Sequence, residues 1–265
     1  MIPAWNRPDH LRRAIASVHR QRGVSAEVIV VDDASDTDLA TELADLNQIQ
    51  WLRNDRNRGG GYSRNRGLAK AQGQFIQFLD DDDVLLPDKL KQQVEQFSNS
   101  TVANLAMVSC HARDLRSGEE VIRYNHFRGN IYRASLKAYT VQLTSSMLFR
   151  SDVVREVGGF DEHLPSSQEY DLVIRLSRHY SVDYVDDILV QLNRSENQIN
   201  TNFNKKRDGA VRLFRKHDAA YREQGTAFWL FMQVKLAGLM LRFAIGAWLG
   251  ERAYRSTIRS KNTTT

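Results

Sequence analysis

The sequence predicts an α/β fold in which a mainly parallel sheet is flanked by helices and followed by a helical tail. Three observations predict it. Short β-branched apolar runs alternate with segments of helical periodicity, an order typical of parallel sheets. The 265 residues are 42% hydrophobic and 26% charged, an ordinary globular composition. The residues after about 204 differ from the rest in charge and in hydropathy.

The predicted elements follow one another along the chain. Helices are predicted over residues 8–22, about 38–46, 62–72, 151–157 and 168–179. Strands are predicted at residues 27–31, around 49–52, at 74–79 and at 182–192, and residues 105–150 are strand-rich. Because ligands of parallel sheets bind beyond the carboxyl ends of the strands, polar residues just after each strand are the first functional candidates.

Composition also excludes several classes of protein. The single cysteine, Cys110, excludes a disulfide framework and a cysteine-based zinc site. The opening MIPAWNRPD lacks the apolar core of a signal peptide, so a cytoplasmic location is expected. Residues 205–265 contain 13 Lys/Arg and 4 Asp/Glu, whereas residues 1–204 contain 24 and 28. The basic character of the chain therefore belongs to its tail.

Four consecutive carboxylates, Asp80 to Asp83, follow the strand predicted at 74–79. Adjacent carboxylates repel one another unless water or a cation lies between them. Mg²⁺ and Mn²⁺ are hard cations that bind one or two carboxylates together with phosphate oxygens. The alternative is a solvated acidic loop before the next helix. The position at a strand end favours the metal and phosphate interpretation.

Two more polar segments follow the earlier strands. Asp32 and Asp33 come directly after VIVV, where a carboxylate can accept hydrogen bonds from a base or a ribose, or can cap a helix. Residues 57–67 contain three consecutive glycines, which allow close approach of a ligand, and arginines such as Arg64 that complement phosphate. This segment matches neither the P-loop nor the dinucleotide-binding pattern, and a flexible loop is the alternative.

Glu169 and Asp171 lie in the first turn of the helix predicted over 168–179. A carboxylate at such a position can act as a general base toward a hydroxyl. Acidic residues in a first turn also simply stabilise the helix dipole. Asp171 stands four residues before Arg175, which predicts an ion pair along the helix. The residues alone leave open which carboxylate has a chemical role.

Four segments, in order, resemble glycosyltransferase family 2. IPAWNRPDHLRRAIASVHRQ resembles the opening strand, loop and helix, and VIVVDDASDT resembles the segment that contacts the nucleobase. NRGGGYSRNRGLAKAQGQFIQFLDDDD and GGFDEHLPSSQEYDLVIRL resemble the donor and acceptor segments. The resemblance covers about residues 1–200 and implies a GT-A domain over 1–204, with residues 205–265 as a separate helical tail.

The resemblance implies roles on the donor side of the site. Asp32 matches the carboxylate that contacts a uracil-type base, and Pro3 and Ala4 match the loop beneath that base. Arg64 matches an arginine near the base and the phosphates. The implied donor is therefore a UDP- or dTDP-type nucleotide sugar.

The resemblance also implies the reacting groups. Asp82 matches the direct ligand of Mg²⁺ or Mn²⁺, and Asp80 or Asp81 would face the ribose. Glu169 matches the catalytic base, one methylene longer than the family's usual aspartate, and Gln168 stands where a glutamate is usual. Residues 192–200 lack the histidine often found there, so no third metal ligand is named. The opening strand is also short, which leaves open whether the N-terminus is complete.

The function implied is inverting transfer of a sugar to a hydroxyl of a glycan or lipid-linked acceptor, in polysaccharide or lipid-linked glycan synthesis. Two rivals are an inactive GT-A-like module that binds membrane or nucleic acid, and a nucleotidyltransferase. The intact acidic run and Arg64 argue against the first rival. The acceptor-type segment GGFDEHLPSSQEYDL argues against the second. No nucleic-acid partner is expected.

Residues 226–250 of the tail are mostly apolar and long enough to span a membrane. Lys235 and Arg242 interrupt them on one helical face, and a spanning helix would bury both charges. A helix lying in the interface avoids that cost, so we expect peripheral attachment to the inner face of the cell membrane. A core helix, a homodimer contact and a spanning helix are the alternatives.

Overall fold

The computed structural model describes residues 1–115, 120–141, 143–193 and 203–249. The chain forms two compact units. The first comprises Met1–Glu162 and Glu169–Glu196, and the second comprises His163–Gln168 and Asn197–Thr265. The first unit contains the described strands and the candidate site residues that the sequence indicated. The second contains the helices of the basic tail.

The first sheet has three parallel strands in the order β1-β2-β3. They are β1 (Ile2–Ala4), β2 (Val28–Asp32) and β3 (Ile49–Arg53). All five residues of β2 are buried, as expected for the central strand of a parallel sheet covered on both faces. The register aligns Ala4 with Asp32 and Asp32 with Arg53, so the three strands end at one level.

The second sheet has six strands and is mixed. They are β4 (Phe75–Gln77), β5 (Asp83–Leu85), β6 (Leu105–Asp114), β7 (Val121–Arg123), β8 (Leu148–Arg150) and β9 (Ser181–Leu192). The strand near 74–79 is predicted to belong to a parallel sheet. In the described part of the structure this segment makes parallel hydrogen bonds only with Met1. There the Met1 N–H donates to Gln77 O and the Leu79 N–H donates to Met1 O, a parallel pattern. Elsewhere β4 pairs with β8 and is antiparallel to it.

The described residues of the first unit form seven α-helices and a short 3₁₀ helix at Thr144–Ser146. The α-helices are α1 (Pro8–His19), α2 (Leu39–Glu42), α3 (Gly60–Lys70), α4 (Lys89–Asn99), α5 (Tyr132–Lys137), α6 (Ser151–Glu156) and α7 (Gln168–Ser177). α1 ends three residues before the predicted boundary because the Arg22 N–H donates to Pro87 O and Gly23 has a φ of 67°. α2 is much shorter than the predicted 38–46. Asp38 caps this helix by accepting the Ala40 N–H.

The second unit packs three helices together: α8 (Phe203–Lys216), α9 (Asp218–Glu223) and α10 (Thr226–Leu249). A Cβ added to Gly246 would lie 2.7 Å from the Phe203 ring, so a side chain at this position would not fit. Near the other end of α10, Trp229 Nε1 donates to Asp218 at 2.7 Å. By length and composition alone, Thr226–Trp248 could cross a membrane.

Candidate active site

The carboxyl ends of β1, β2 and β4 bring the predicted donor residues to one edge of the first unit. Pro3 and Ala4 end β1, level with Asp32 at the end of β2. Asp80 follows β4 after two buried residues, and its N–H donates to Ser145 Oγ at 3.2 Å. The grouping follows from the parallel arrangement, since parallel strands present their carboxyl ends on the same side.

Asp32 is buried at this edge, with 2% of its surface exposed. Its Oδ1 accepts the Ser35 N–H at 2.8 Å, and its Oδ2 accepts Arg53 at 2.9 Å. Each carboxylate oxygen can accept about two hydrogen bonds, so both retain acceptor capacity. The carboxylate is thus fixed in orientation and still able to accept from a ligand.

Asp33 organises the glycine-rich loop. Its Oδ1 accepts the Arg58 N–H at 2.8 Å, and its Oδ2 accepts the Gly59 N–H at 2.7 Å. Gly59 precedes α3 with a φ of 85°, a left-handed conformation that favours glycine. Asn54 donates to the same carboxylate at 2.7 Å. The loop is therefore tied to the end of β2 by a buried carboxylate.

Arg64 projects from α3 between two carboxylates. Its guanidinium lies 2.7 Å from Asp80 and 3.1 Å from Glu169, and its side chain is 8% exposed. The guanidinium also lies 5.4 Å from the centre of the Phe160 ring. Arg64 Nε is buried and has no hydrogen-bond partner among the described residues. A buried donor left in this state is suited to an anionic ligand.

Arg7 binds two members of the acidic run. One guanidinium nitrogen lies 3.2 Å from Asp81 and 3.4 Å from Asp82. Burial raises the pKa of Asp81 to about 7, against the opposing effect of Arg7. Asp83 has a different environment, since it begins β5 and accepts Ser145 Oγ at 2.6 Å. Only part of the run therefore faces the edge where the strands end.

Glu169 and Asp171 differ sharply in their surroundings. Asp171 is completely buried and bound to Arg175 at 2.8 Å, the ion pair that the spacing predicted. Arg175 also donates to the carbonyls of Val157 and Gly159. Through Arg175, Asp171 thereby holds the turn that follows α6. The Glu169 side chain is 20% exposed and contacts Arg64.

Sequence reasoning missed Arg7 and Tyr139. Arg7 lies just beyond a strand end, so the rule that identified Asp32 could also have found it. Tyr139 had no periodic signal around it. It stacks on Tyr170 with 4.9 Å between ring centres. Burial, with Glu169 and Asp80 nearby, raises the Tyr139 pKa well above its ordinary value.

Part of the acidic run has the chemistry that a divalent cation requires. Asp81 and Asp82 offer carboxylate oxygens, the donor type that Mg²⁺ and Mn²⁺ prefer, although Arg7 already neutralises part of their charge. The residues therefore fit a hard cation. Residues 194–200, where the sequence offered no histidine ligand, lie outside the described residues.

His111, His126 and Asp186 form another group of metal-type side chains, with ligand atoms within 4.8 Å of one another. His111 Nδ1 accepts the Asn125 N–H at 3.1 Å, so the proton lies on Nε2, which is 2.7 Å from Asp186. A metal at Nε2 would require the proton on Nδ1, facing that same backbone donor. This group is a hydrogen-bonded contact with the wrong tautomer for a metal.

Comparisons with known proteins identify relatives of the chain. Residues 1–158 match the family described as Glycosyl transferase family 2. Succinoglycan biosynthesis protein ExoO of Rhizobium meliloti is 35% identical over 160 residues, which are 57% of this chain and 43% of ExoO. A glycosyl transferase assigned to colanic acid biosynthesis, WcaA of Escherichia coli, is 31% identical over 251 residues, 87% of this chain and 84% of WcaA.

Solved structures resemble the chain in fold. S. aureus TarS 1–349 in complex with UDP-GlcNAc has a TM-score of 0.63 at 18% identity, over 80% of this chain and 65% of that one. The mannosyltransferase PcManGT of Pyrobaculum calidifontis, with GDP-Man and Mn²⁺, has a TM-score of 0.60 at 17% identity. It covers 98% of this chain and 77% of its own. The predicted fold class is confirmed: this chain belongs to glycosyl transferase family 2 and has the GT-A fold.

Proposed function

We propose that this chain is an inverting, metal-dependent glycosyltransferase that moves a sugar from a nucleoside diphosphate to an acceptor hydroxyl. The observation that carries the proposal is the position of Arg64 between Asp80 and Glu169. One cation thus links the acidic run, suited to the donor, with a carboxylate on α7, suited to the acceptor. Neither rival function requires that link.

The donor end is assigned to the strand edge. Asp32 accepts hydrogen bonds from a uracil-type base that lies over Pro3 and Ala4, and Arg64 Nε donates toward the diphosphate. Asp80, whose side chain is 39% exposed, is better placed for the ribose than the more buried Asp81. UDP-GlcNAc in TarS supports a UDP- or dTDP-type donor.

Asp82 is assigned to hold Mg²⁺ or Mn²⁺. When bound, the ion neutralises charge on the departing diphosphate. The Mn²⁺ in PcManGT supports the choice of metal class. Arg7 balances the same carboxylates from the protein side and limits their mutual repulsion.

Glu169 is assigned as the general base. The acceptor hydroxyl attacks the anomeric carbon, its proton passes to Glu169, and the bond from that carbon to the diphosphate oxygen breaks. A single displacement of this kind inverts the configuration. Arg64 fixes the Glu169 side chain, and the burial of Asp171 against Arg175 supports Glu169 rather than Asp171 in this role.

The acceptor is assigned to the glycan or lipid-linked glycan class. The printed names of ExoO and WcaA refer to succinoglycan and colanic acid biosynthesis, both polysaccharide processes. We also propose a cytoplasmic enzyme at the inner face of the cell membrane, since its second unit is basic and carries an apolar helix. A homodimer that uses the same helix is the alternative.

A thermal-shift screen of UDP, dTDP and GDP, with and without Mn²⁺, tests the donor assignment. A ligand that binds only the folded state raises the melting temperature by mass action. We expect UDP or dTDP to do so only with metal. No shift with any nucleotide would support the inactive module. Release of pyrophosphate from a nucleoside triphosphate would support a nucleotidyltransferase.

A further inference from the structure

One side of α10 is exposed and apolar along its whole described length. The exposed residues between positions 227 and 248 are all apolar or glycine: Ala227, Leu230, Phe231, Val234, Ala237, Gly238, Leu241, Ala244, Ala247 and Trp248. Val234 is 73% exposed and Trp248 is 90% exposed. At 1.5 Å per residue, this face extends for about 30 Å. Continuous apolar faces of this size mark interaction surfaces.

The opposite side of α10 is covered by the other two helices of the second unit. Near one end the Phe203 ring of α8 packs against Gly246, and near the other Asp218 of α9 accepts Trp229 Nε1. Met232 and Phe243 are buried between these two contacts. α8 and α9 therefore accompany α10 along most of its length.

These covering helices are basic. Residues 203–223, which form them, contain seven Lys/Arg and three Asp/Glu. Six of the cationic residues on α8 and α9 are exposed: Lys205, Arg207, Arg212, Arg215, Lys216 and Arg222. Lys235 and Arg242 of α10 are only partly exposed and lie along one edge of the exposed apolar face, four residues after Phe231 and Gly238. The unit thus combines an apolar face with a basic remainder, a combination that complements an anionic lipid surface.

We propose that the three helices lie in the plane of an anionic leaflet, with the exposed face of α10 in the acyl region, and that α10 does not cross the bilayer. A crossing α10 would draw α8 and α9 into the hydrocarbon together with their exposed cations, which is strongly unfavourable. A flat orientation places only the apolar face in lipid and leaves the cations at the headgroups. This mode specifies the membrane association proposed above, and donor turnover tests the enzymatic proposal separately.

Binding of the full chain to lipid vesicles tests the proposed orientation of the three helices on the membrane. The vesicles contain equal parts of phosphatidylcholine and phosphatidylglycerol, and bound protein is measured by cosedimentation. Val234→Glu places a charge in the apolar face without removing a buried side chain, and we expect about tenfold weaker binding. Ala219→Glu, at an exposed position of α9, adds the same charge and should bind almost as the wild type does. Equal binding by the two variants would overturn the proposal.

Two further measurements test how deeply α10 enters the bilayer and whether it crosses it. On binding, Trp248 fluorescence should shift to the blue and be quenched by brominated acyl chains, and Trp248→Phe should remove that signal. Alkaline carbonate should release the protein, because nothing crosses the bilayer. Resistance to carbonate would show a spanning helix and overturn the proposal. Failure to bind vesicles, with a stable dimer that Val234→Glu dissociates, would also overturn it and identify a second copy as the partner. Donor hydrolysis should be equal in wild type and Val234→Glu in either case.

Discussion

The guanidinium of Arg64 lies 3.1 Å from the carboxylate of Glu169, and this contact joins α3 to the first turn of α7. Both side chains are largely buried, so their attraction is weakened less by solvent than that of a surface pair. The same guanidinium also reaches Asp80 at 2.7 Å. The geometry of the proposed base therefore depends on a residue that also contacts the acidic run.

Glu169→Gln should retain donor binding and lose sugar transfer by roughly 10²–10⁴-fold, the usual contribution of a positioned base. The amide keeps the shape of the side chain and a hydrogen-bond acceptor for Arg64, but it does not take up the acceptor proton. Steady-state transfer and nucleotide thermal shifts measure the two properties. Normal transfer by this variant would show that another group is the base.

Asp171→Asn should act on stability instead. Removing one charge of a buried pair leaves the other poorly compensated, so we expect a loss of about 3 kcal/mol in the free energy of unfolding. Urea denaturation measures it. Transfer per folded molecule should stay within about threefold of wild type, since this carboxylate is completely buried. A stable but inactive variant would exchange the roles assigned to Asp171 and Glu169.

Arg7→Gln should strengthen the binding of Mn²⁺ in the absence of nucleotide. The positive charge of Arg7 beside Asp81 and Asp82 opposes the binding of a metal cation. At a partly buried site, its removal should raise the affinity for Mn²⁺ by roughly tenfold. Calorimetric titration with Mn²⁺ measures the change. Arg13→Gln, on the exposed side of α1 with its side chain bonded to His10, serves as the control. Weaker Mn²⁺ binding in Arg7→Gln would show that Arg7 instead arranges the carboxylates for the metal.

Lys89 should make stability depend on pH. Its ammonium is buried against the side-chain oxygens of Gln77 and Gln93, and burial lowers its pKa to about 8 from 10.5. Between these values the unfolded state binds more protons, so the free energy of unfolding rises with pH. From pH 7 to pH 9 the contribution of Lys89 is about 1 kcal/mol.

Urea denaturation of Lys89→Met at both pH values checks this, because the variant should lose the Lys89 contribution to the slope. The exposed neighbour Lys91 provides the control, and Lys91→Met should keep the wild-type slope. The comparison stops at pH 9 because burial raises the Cys110 pKa to about 11 from 9. Above pH 9 this shift makes the free energy of unfolding fall with pH, which is opposite to the effect of Lys89. Equal slopes in the two variants would contradict the assignment.

Local patterns predicted the elements that border the site. The apolar run before Asp32 forms β2, whose bounds lie within one residue of the predicted ones. This strand was predictable because a buried parallel strand has a continuous apolar sequence. The pairing of β4 with β8 was not predictable in the same way. Phe75 lies opposite Arg150, and no periodicity in either segment encodes a partner so distant in sequence.

The sequence indicated which residues are candidates for the site, but not which of them contact one another. Motif matching named Asp32, Arg64 and Glu169, and the fold brings the last two within an ion-pair distance. It also treated Asp83 as one of four similar carboxylates, whereas Asp83 is bonded to Ser145 at the start of β5. Burial and long-range partners distinguish such residues, and both arise only when the chain is folded.

The central claim concerns metal-dependent donor chemistry at Asp82. Its most direct test is the release of nucleoside diphosphate from UDP- and dTDP-sugars by the full chain with Mn²⁺, compared with Asp82→Asn. We expect release by the wild type, its loss on chelation of the metal, and no release by a variant that melts at a similar temperature. Full release by Asp82→Asn, or equal release with and without metal, would contradict the claim.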